Sequence, residues 1–309
     1  MGAISGILAL TLLAMGGGHL LARRGLLTPP RTRRLARFLA DVAFPLLCLL
    51  RLAPMDASTL RTGAGVPIAV ILLLALSALL GEGLARALAI EALHRPGVRF
   101  CAALPNWIFL PLPIAAWLHG EAGVRVVLLG NVGAQLFLWT AGVALQSRAR
   151  RLELWGLLKN PGLIATAAGI AVALLGLAAP PWPAFAAARW LLERVGDSAV
   201  WLTPFAVGAQ LGIRPRWTLD RSLAVILVVR LLLAPLLVAL ALALRPALFD
   251  PVTRQLLVLI AGMPVAFSAS ALALRFGGDD ELAARAVVAS TLLAGATVPA
   301  LQWLLPRLG

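Results

Sequence analysis

Long apolar segments recur along the whole chain, and this pattern restricts what the chain can fold into. Ten runs, most of about 17 to 25 residues, are long enough to cross the hydrocarbon core of a bilayer as helices. We number these predicted spans 1 to 10; they cover residues 3–22, 35–53, 64–88, 97–118, 122–146, 161–178, 198–212, 218–244, 252–275 and 281–305. With 61% hydrophobic residues, 13% charged residues and a mean hydropathy of +0.94, the chain is too apolar for a soluble protein of this length. The sequence therefore predicts an all-α integral membrane protein.

Two segments need a separate interpretation. Span 7 is short, and the segment before it, "WPAFAAARWLLERVGD", is amphipathic. This pattern predicts an interfacial helix that lies on the membrane surface and ends before span 7 begins. The first apolar run lacks the basic start and the cleavage site of a signal peptide, so we expect span 1 to be retained as a helix.

The basic residues are distributed unevenly between the two ends of the spans. Most of the 27 Lys and Arg residues lie in connections that follow odd-numbered spans. Because cytoplasmic connections carry the excess of Lys and Arg, we expect both termini in the periplasm. The strong preference for arginine over lysine is typical of a high-GC bacterial genome, which makes the bacterial inner membrane the expected location. The net charge of +14 is then a topology signal, and no nucleic-acid partner is predicted.

Two prolines recur at the same spacing in the two halves of the chain. Pro45 in span 2 and Pro204 in span 7 are 159 residues apart, and so are Pro105 in span 4 and Pro264 in span 9. This spacing indicates an internal duplication, with residues 1–147 (spans 1–5) as the first repeat and residues 160–309 (spans 6–10) as the second. Because each repeat has an odd number of spans, the two repeats would insert with opposite topology. The predicted fold is therefore ten transmembrane helices arranged as two inverted five-helix repeats.

Spans 4 and 9 contain residues that a stable membrane helix would avoid. The segment "CAALPNWIFLPLPIAAW", residues 101–117, holds three prolines and Asn106, and "AGMPVAFSASA" holds Pro264. Proline removes a backbone donor, and broken backbone is tolerated at membrane depth only inside protein or beside a cavity. Broken helices at equivalent positions of inverted repeats are typical of secondary transporters, whose substrate site lies where the breaks meet. The alternative is a pair of proline kinks that only shape helix packing.

Six short segments, in this order along the chain, resemble the auxin efflux carrier family, which includes the plant PIN-type carriers and bacterial organic-acid transporters of the same type. They are "LLTPPRTRRLARFLADVAFPLLCLL", "LPNWIFLPLP", "QLFLWT", "KNPGLIATAAGI", "AGMP" and "ASTLLAGATVPAL". The resemblance covers nearly the whole chain. The long hydrophilic loop of many plant members is absent, because only about 15 residues join spans 5 and 6.

The resemblance implies a fold like that of sodium/proton antiporters and bile-acid symporters. Spans 3–5 and 8–10 would form a moving transport domain with crossover helices 4 and 9, and spans 1, 2, 6 and 7 a scaffold that pairs two copies of the chain. It also implies that a substrate carboxylate binds near Asn106 and Gln135, and that Cys48 stands where the family has a serine, a better hydrogen-bond donor. Polar side chains in membrane spans usually face a cavity or a partner helix, so helix–helix hydrogen bonding is the alternative role. The candidate substrate-binding residues are Asn106, Gln135, Cys48, Pro105, Pro264 and Ser268.

Three charged side chains lie deeper within the predicted spans than the others. Asp41 and Glu82 are the most deeply embedded acids, and either could carry a coupled proton; pairing with a base or reaching out to the headgroups is the alternative. Arg230 lies deep in span 8 and needs a partner or a water-filled cavity. No acid lies within a helical turn of Pro105 or Pro264, which argues against a carboxylate-lined cation site at the breaks.

Enzyme signatures are missing from the sequence. It contains no HExxH, GxSxG or phosphate-loop motif, so we expect no enzyme, no cofactor and no metal site. We expect instead a secondary transporter that moves small organic anions, malonate-like, malate-like or auxin-like, out of the cell by alternating access. Its partners would be the anion, the lipid bilayer and a second copy of the chain. Uptake coupled to protons or sodium is one alternative, and a channel is another; sodium dependence and single-channel currents would discriminate them.

Overall fold

The chain is almost entirely helical in the computed structural model, which describes residues 2–146, 159, 161–177, 183–212 and 218–304. Three π-helical turns, Leu39–Ala43, Leu138–Gly142 and Val229–Leu233, each connect two consecutive α-helices. Within the described ranges there is no strand beyond one isolated bridge. In chain order the helices are α1 (Gly2–Arg23), α2 (Pro29–Phe38), α3 (Phe44–Leu52), α4 (Ala57–Thr62), α5 (Gly65–Ala87), α6 (Arg95–Ala103), α7 (Pro111–Phe137), α8 (Val143–Gln146), α9 (Pro161–Leu175), α10 (Pro183–Gly212), α11 (Arg221–Val228), α12 (Ala234–Leu244), α13 (Pro251–Ala261), α14 (Ala269–Arg275) and α15 (Asp280–Leu304).

Several of these helices are apolar over a membrane-spanning length. Among the described residues, four segments are long and apolar enough to cross a bilayer: Ala57–Ala87, Pro111–Gly142, Arg221–Leu244 and Asp280–Trp303. Two further apolar helices, Pro161–Leu175 and Pro251–Ala261, are shorter. These lengths and compositions agree with the predicted multi-pass membrane protein.

Both predicted helix breaks are present. Span 4 divides between α6 and the first part of α7, and span 9 divides between α13 and α14. The junction between spans 4 and 5 lies inside α7 at Gly120, whose φ of 56° and ψ of −139° are not helical. A φ in this region favours glycine. A β-carbon at Gly123 would lie 2.4 Å from the carbonyl oxygen of Ala115, so the two limbs of α7 meet closely on either side of Gly120.

The expected boundary of span 7 is wrong. The structure has one helix of 30 residues, Pro183–Gly212, where the sequence predicted a short span from residue 198 preceded by a separate interfacial helix. The amphipathic segment continues into the apolar one although Gly196 stands just before the expected boundary. This glycine allows a close helix contact instead of a break, because a β-carbon there would lie 2.9 Å from the backbone nitrogen of Leu47. An ion pair one turn apart, Arg189 to Glu193 at 2.9 Å, is also compatible with a continuous helix.

Residue contacts divide the chain into two compact units. The first comprises Met1–Leu10, Val66–Leu152 and Arg216–Gly309, and the second comprises Thr11–Gly65 and Glu153–Pro215.

The first unit is built around the buried helix α13 and the helices that surround the two breaks. The last six residues of α13, from Leu256 to Ala261, are all buried. Helix α5 approaches α7 so closely that a β-carbon at Gly133 would lie 2.1 Å from the carbonyl oxygen of Pro67. Small residues permit this close backbone contact. In lipid the hydrophobic effect does not drive helices together, so membrane helices gain van der Waals packing energy from such contacts.

The second unit depends on glycine contacts in the same way. A β-carbon at Gly208 of α10 would lie 1.8 Å from the carbonyl oxygen of Met15 on α1, and one at Gly18 would lie 2.0 Å from that of Phe205. Helix α3 is held against α10 by a further ion pair, Arg51 to Asp197 at 2.9 Å.

Candidate functional site

The two helix breaks are bonded directly to each other. The backbone N–H of Asn106 donates to the carbonyl of Pro264 at 2.7 Å, and the N–H of Ala266 donates to the carbonyl of Leu104 at 2.9 Å. Pro105 lies between these two bonds, opposite Val265 in an antiparallel bridge. Because proline has no N–H, the pairing uses the residues on either side of it. The breaks thus satisfy much of each other's exposed backbone, as buried polar backbone requires.

A serine of α15 completes this pairing. The N–H of Val265 donates to the Oγ of Ser290 at 3.0 Å, and the Ser290 hydroxyl donates to the carbonyl of Ala286. Ser290 is fully buried. We call the paired segments 104–106 and 264–266 the crossover.

Asn106 uses only part of its hydrogen-bonding capacity inside the protein. Its Oδ1 accepts from the N–H of Phe109 at 3.1 Å, which fixes the side chain beside the start of α7. Its Nδ2 is buried and has no partner among the described residues, although the residue is only 2% exposed. A buried donor left unpaired costs about 1–3 kcal/mol. The amide therefore presents an unsatisfied donor at the crossover that an incoming acceptor could bind.

Two tryptophans donate hydrogen bonds to amides of α7: Trp107, next to the crossover, and Trp139, in the turn that follows α7. The indole N–H of Trp107 donates to the Oδ1 of Asn131 at 3.0 Å, and that of Trp139 donates to the Oε1 of Gln135 at 3.0 Å. Asn131 and Gln135 are four residues apart and so lie on the same face of the helix. The neighbour of Asn106 thus contacts the face of α7 that carries Gln135, which is 4% exposed.

The remaining candidates occupy different surroundings. Pro105 and Pro264 lie in the crossover itself. Ser268 is exposed at the residue before α14, where its side chain makes no capping bond. Cys48 is buried on α3 in the second unit, whereas the other candidates belong to the first unit.

The two embedded acids differ in their partners. Glu82 accepts a hydrogen bond from the Nε of Arg86 at 2.7 Å, and its other oxygen lies 3.6 Å from Arg99. Arg99 also donates to the carbonyl of Leu145 at the end of α8. Asp41 lies in the π-turn between α2 and α3 and is exposed. These contacts favour the pairing alternative for Glu82.

The surroundings of Arg230 could not be derived from the sequence. Its guanidinium is completely buried and donates to the Oγ of Ser77 and the carbonyl of Ala102, each at 3.2 Å. It also donates to the carbonyls of Ala261 and Met263. Ala102 and Ala261 are 159 residues apart, the spacing of the repeated prolines, which was the signal available in the sequence. Asn131 and Ser290 are likewise 159 residues apart, whereas Trp107 has an alanine at the equivalent position and carried no such signal.

Comparison with known proteins supports a transport role for this arrangement. A family model described as "Membrane transport protein" matches residues 3–154 and 147–302. A protein of Rhizobium meliloti (strain 1021) described as "Putative malonate transporter" is 32% identical over 146 residues. That match covers 47% of this chain and 44% of the Rhizobium protein, so the chain aligns with less than half of that relative's length.

Proposed function

The chain belongs to the membrane transport protein family, of the auxin efflux carrier type, and from this premise we propose that it is a secondary transporter of small organic anions. The family also agrees with the expectation of a transporter rather than an enzyme. The observation that carries the proposal is the unpaired amide donor of Asn106 at the crossing of two broken helices. A carboxylate is the natural acceptor for such a donor, because hydrogen bonds to charged groups are the stronger ones.

The charges of the protein interior support an anion rather than a cation. The buried polar side chains of the described residues include Arg230 but no Asp or Glu. A cation site would need carboxylate or clustered carbonyl oxygens. The Rhizobium relative is described as a malonate transporter, so malonate is the first dicarboxylate to test.

We further propose the ten-span architecture with inverted repeats. It is supported by the direct bonding of two breaks that lie 159 residues apart. The first compact unit contains spans 3–5 and 8–10 and the second contains spans 2, 6 and 7 with most of span 1. We assign the moving role to the first unit, which holds the crossover, and the dimerising scaffold to the second.

Contacts within the first unit support the proposed cytoplasmic side. Arg285 donates to Asp220 at 2.7 Å, and His94 lies 3.5 Å from Asp279. The first pair joins the starts of spans 8 and 10, and the second joins the connections after spans 3 and 9; the arginine distribution places all of these on the cytoplasmic side.

A second set of contacts joins the opposite ends of helices in the first unit. His119 shares a hydrogen bond with the Oε1 of Gln255 at 2.9 Å, and Gln255 donates to the Oε1 of Gln302 at 3.0 Å. These residues lie at the end of span 4, the start of span 9 and the end of span 10. We therefore place this polar chain, and the C-terminus, on the periplasmic side of the bacterial inner membrane.

Transport is proposed to run outward by alternating access without a coupled ion. An anion that leaves a negative-inside cell gains about 2.3 kcal/mol per charge per 100 mV. Proton- or sodium-coupled uptake is the alternative, with Asp41 and Glu82 as the candidate proton carriers.

The test is flux of labelled carboxylates from liposomes that contain the purified protein. Voltage is clamped with potassium and valinomycin, and pH and sodium gradients are imposed separately. We expect malonate flux that follows voltage and persists in Asp41→Asn and Glu82→Gln. Flux that follows the pH gradient and disappears in either variant would replace the uniport proposal with proton symport, and single-channel currents would indicate a channel.

A further inference from the structure

The guanidinium of Arg230 holds the ends of both broken helices. Two of its acceptors, the carbonyls of Ala102 and Ala261, lie in the last turns of α6 and α13, directly before the two segments of the crossover. The last carbonyls of a helix have no partner within the helix and carry its partial negative charge. One side chain therefore satisfies equivalent carbonyls from both halves of the chain.

The positive charge of this side chain is not cancelled locally. Its four acceptors are a hydroxyl and three backbone carbonyls, and none of the described carboxylates forms an ion pair with it. A buried charge normally has an ionic partner, because leaving water is costly. The helix ends supply hydrogen bonds and partial charge, but a net charge close to +1 remains in the interior of the unit.

This charge lies next to the atoms that form the crossover. Arg230 donates to the carbonyl of Met263, and the carbonyl of the following residue, Pro264, accepts from the N–H of Asn106. Ala102, whose carbonyl also accepts from Arg230, is four residues before Asn106 in the chain. The cation and the unpaired amide donor thus belong to one short hydrogen-bonded path.

We propose that Arg230 is a specificity-determining residue whose uncompensated charge selects anions at the crossover and favours dianions over monoanions. The proposal rests on the proposed transport of organic anions and adds the feature that sets the charge of the substrate. The charge of Arg230 attracts the substrate electrostatically, without direct contact. The hydrogen bonds to Ala102 and Ala261 hold the guanidinium in position.

Ser77 offers a way to cancel the charge while Arg230 stays. Its Oγ accepts from Arg230, and its side chain is fully buried. Ser77→Asp places a carboxylate beside the guanidinium, and Ser77→Asn adds almost the same volume without the charge. Any packing disturbance is common to both variants, so the difference between them reports the charge alone.

The experiment measures the KM of malonate and of its monomethyl ester, a monoanion of similar shape, in liposomes with each variant. With an effective dielectric constant near 20 and a separation of roughly 10 Å, one added charge changes the affinity for a monoanion on the order of tenfold, and for a dianion on the order of a hundredfold. We expect the KM ratio of Ser77→Asp to Ser77→Asn to be about ten for the monoester and about a hundred for malonate.

Equal KM values in the two variants, or a ratio that does not grow with substrate charge, would overturn the proposal and leave anion transport intact. Failure of the wild-type protein to transport any carboxylate would instead sink the proposed function, and the selectivity proposal with it. If the Ser77 variants do not fold, Arg230→Lys and Arg230→Gln replace them. The lysine variant should keep the preference of the wild type for malonate over its monoester, and the glutamine variant should lose it; equal preferences would contradict the proposal.

Discussion

The buried amides of the first unit have unequal roles at the residue scale. Asn131 and Gln135 each accept a hydrogen bond from a tryptophan. The bond from Trp107 to Asn131 joins two segments, which is the packing role that polar residues often have in membranes, whereas Trp139 and Gln135 are one turn apart in the same helix. Asn106 accepts one bond through its Oδ1 and leaves its Nδ2 unpaired among the described residues. Of the three, Asn106 is therefore the one whose geometry leaves capacity for a ligand.

Replacing Asn106 with alanine should weaken malonate binding by about 1–3 kcal/mol, the loss for a hydrogen bond to a charged group. Gln135→Ala should have the same effect if its amide also contacts the carboxylate. Affinity is measured by titration calorimetry and folding by the melting temperature. Gln302→Ala is the matched control, because the Nε2 of Gln302 is also buried without a partner among the described residues, while the residue belongs to the polar chain with Gln255. Normal binding in Asn106→Ala together with a lower melting temperature would assign this residue to packing.

Close helix contacts act at the scale of the element. In the second unit, α1 and α10 approach until the backbone of one nearly touches the glycines of the other, at Gly18 and at Gly208. Such contact places small residues where lipid would otherwise lie and gains van der Waals energy from the backbone. These two helices are therefore specified by the positions of glycines as much as by their apolar composition.

Gly208→Ala should destabilise the second unit by about 1–3 kcal/mol, the usual cost of overpacking. Its β-carbon would lie 1.8 Å from a backbone oxygen that cannot move without shifting α1. Gly16→Ala is the control on the opposing helix, since nothing lies within 4 Å of its β-carbon position. Thermal unfolding in detergent measures both variants. Equal melting temperatures for Gly208→Ala and Gly16→Ala would show that α1 and α10 do not pack as described.

Asp250 sets the start of α13, the helix that leads into the crossover. Its carboxylate accepts from the N–H groups of Val252 and Thr253 and from the Thr253 hydroxyl. Partial burial raises the pKa of this carboxyl, but these hydrogen bonds outweigh it, so the pKa lies below its ordinary value of 3.8.

A lowered folded-state pKa gives stability that is present above the unfolded pKa and is lost as the pH falls through the folded one. Asp250→Ala should cost about 1 kcal/mol near neutral pH, the usual value of a helix cap. The difference in melting temperature between wild type and Asp250→Ala should be constant above about pH 5 and shrink below about pH 4. A difference that grows on acidification would contradict this assignment.

At the scale of the whole molecule, the chain is a multi-pass membrane protein whose orientation is inferred from arginine positions and from contacts between helix ends. We expect a reporter that is active only in the periplasm to be active when fused after Gly309. The same reporter inserted into the connection 147–158, which the arginine distribution places in the cytoplasm, should be inactive. An inactive C-terminal fusion together with an active internal one would show that the orientation is opposite to the one proposed. Activity at both positions, or at neither, would contradict the ten-span model.

The sequence alone determined features that depend on local composition and backbone chemistry. The apolar runs predicted a membrane protein because no soluble core could bury them, and the prolines predicted the breaks between α6 and α7 and between α13 and α14 because proline removes backbone donors wherever it stands. The chain also carried the marks of its family over most of its length. The start of α10 was mispredicted because the change from an amphipathic to an apolar segment does not by itself end a helix.

Only the tertiary structure decided which polar groups meet. The pairing of Asn106 with Pro264, the bond between Trp107 and Asn131, and the acceptors of Arg230 join residues that are distant in the chain. Their side chains have the same local propensities whether they serve as packing contacts, helix caps or ligands. Within the part of the chain that the structure describes, Asn106 has a buried donor without a partner and Arg230 has a charge without a counter-charge. Both features depend on every element that packs around them.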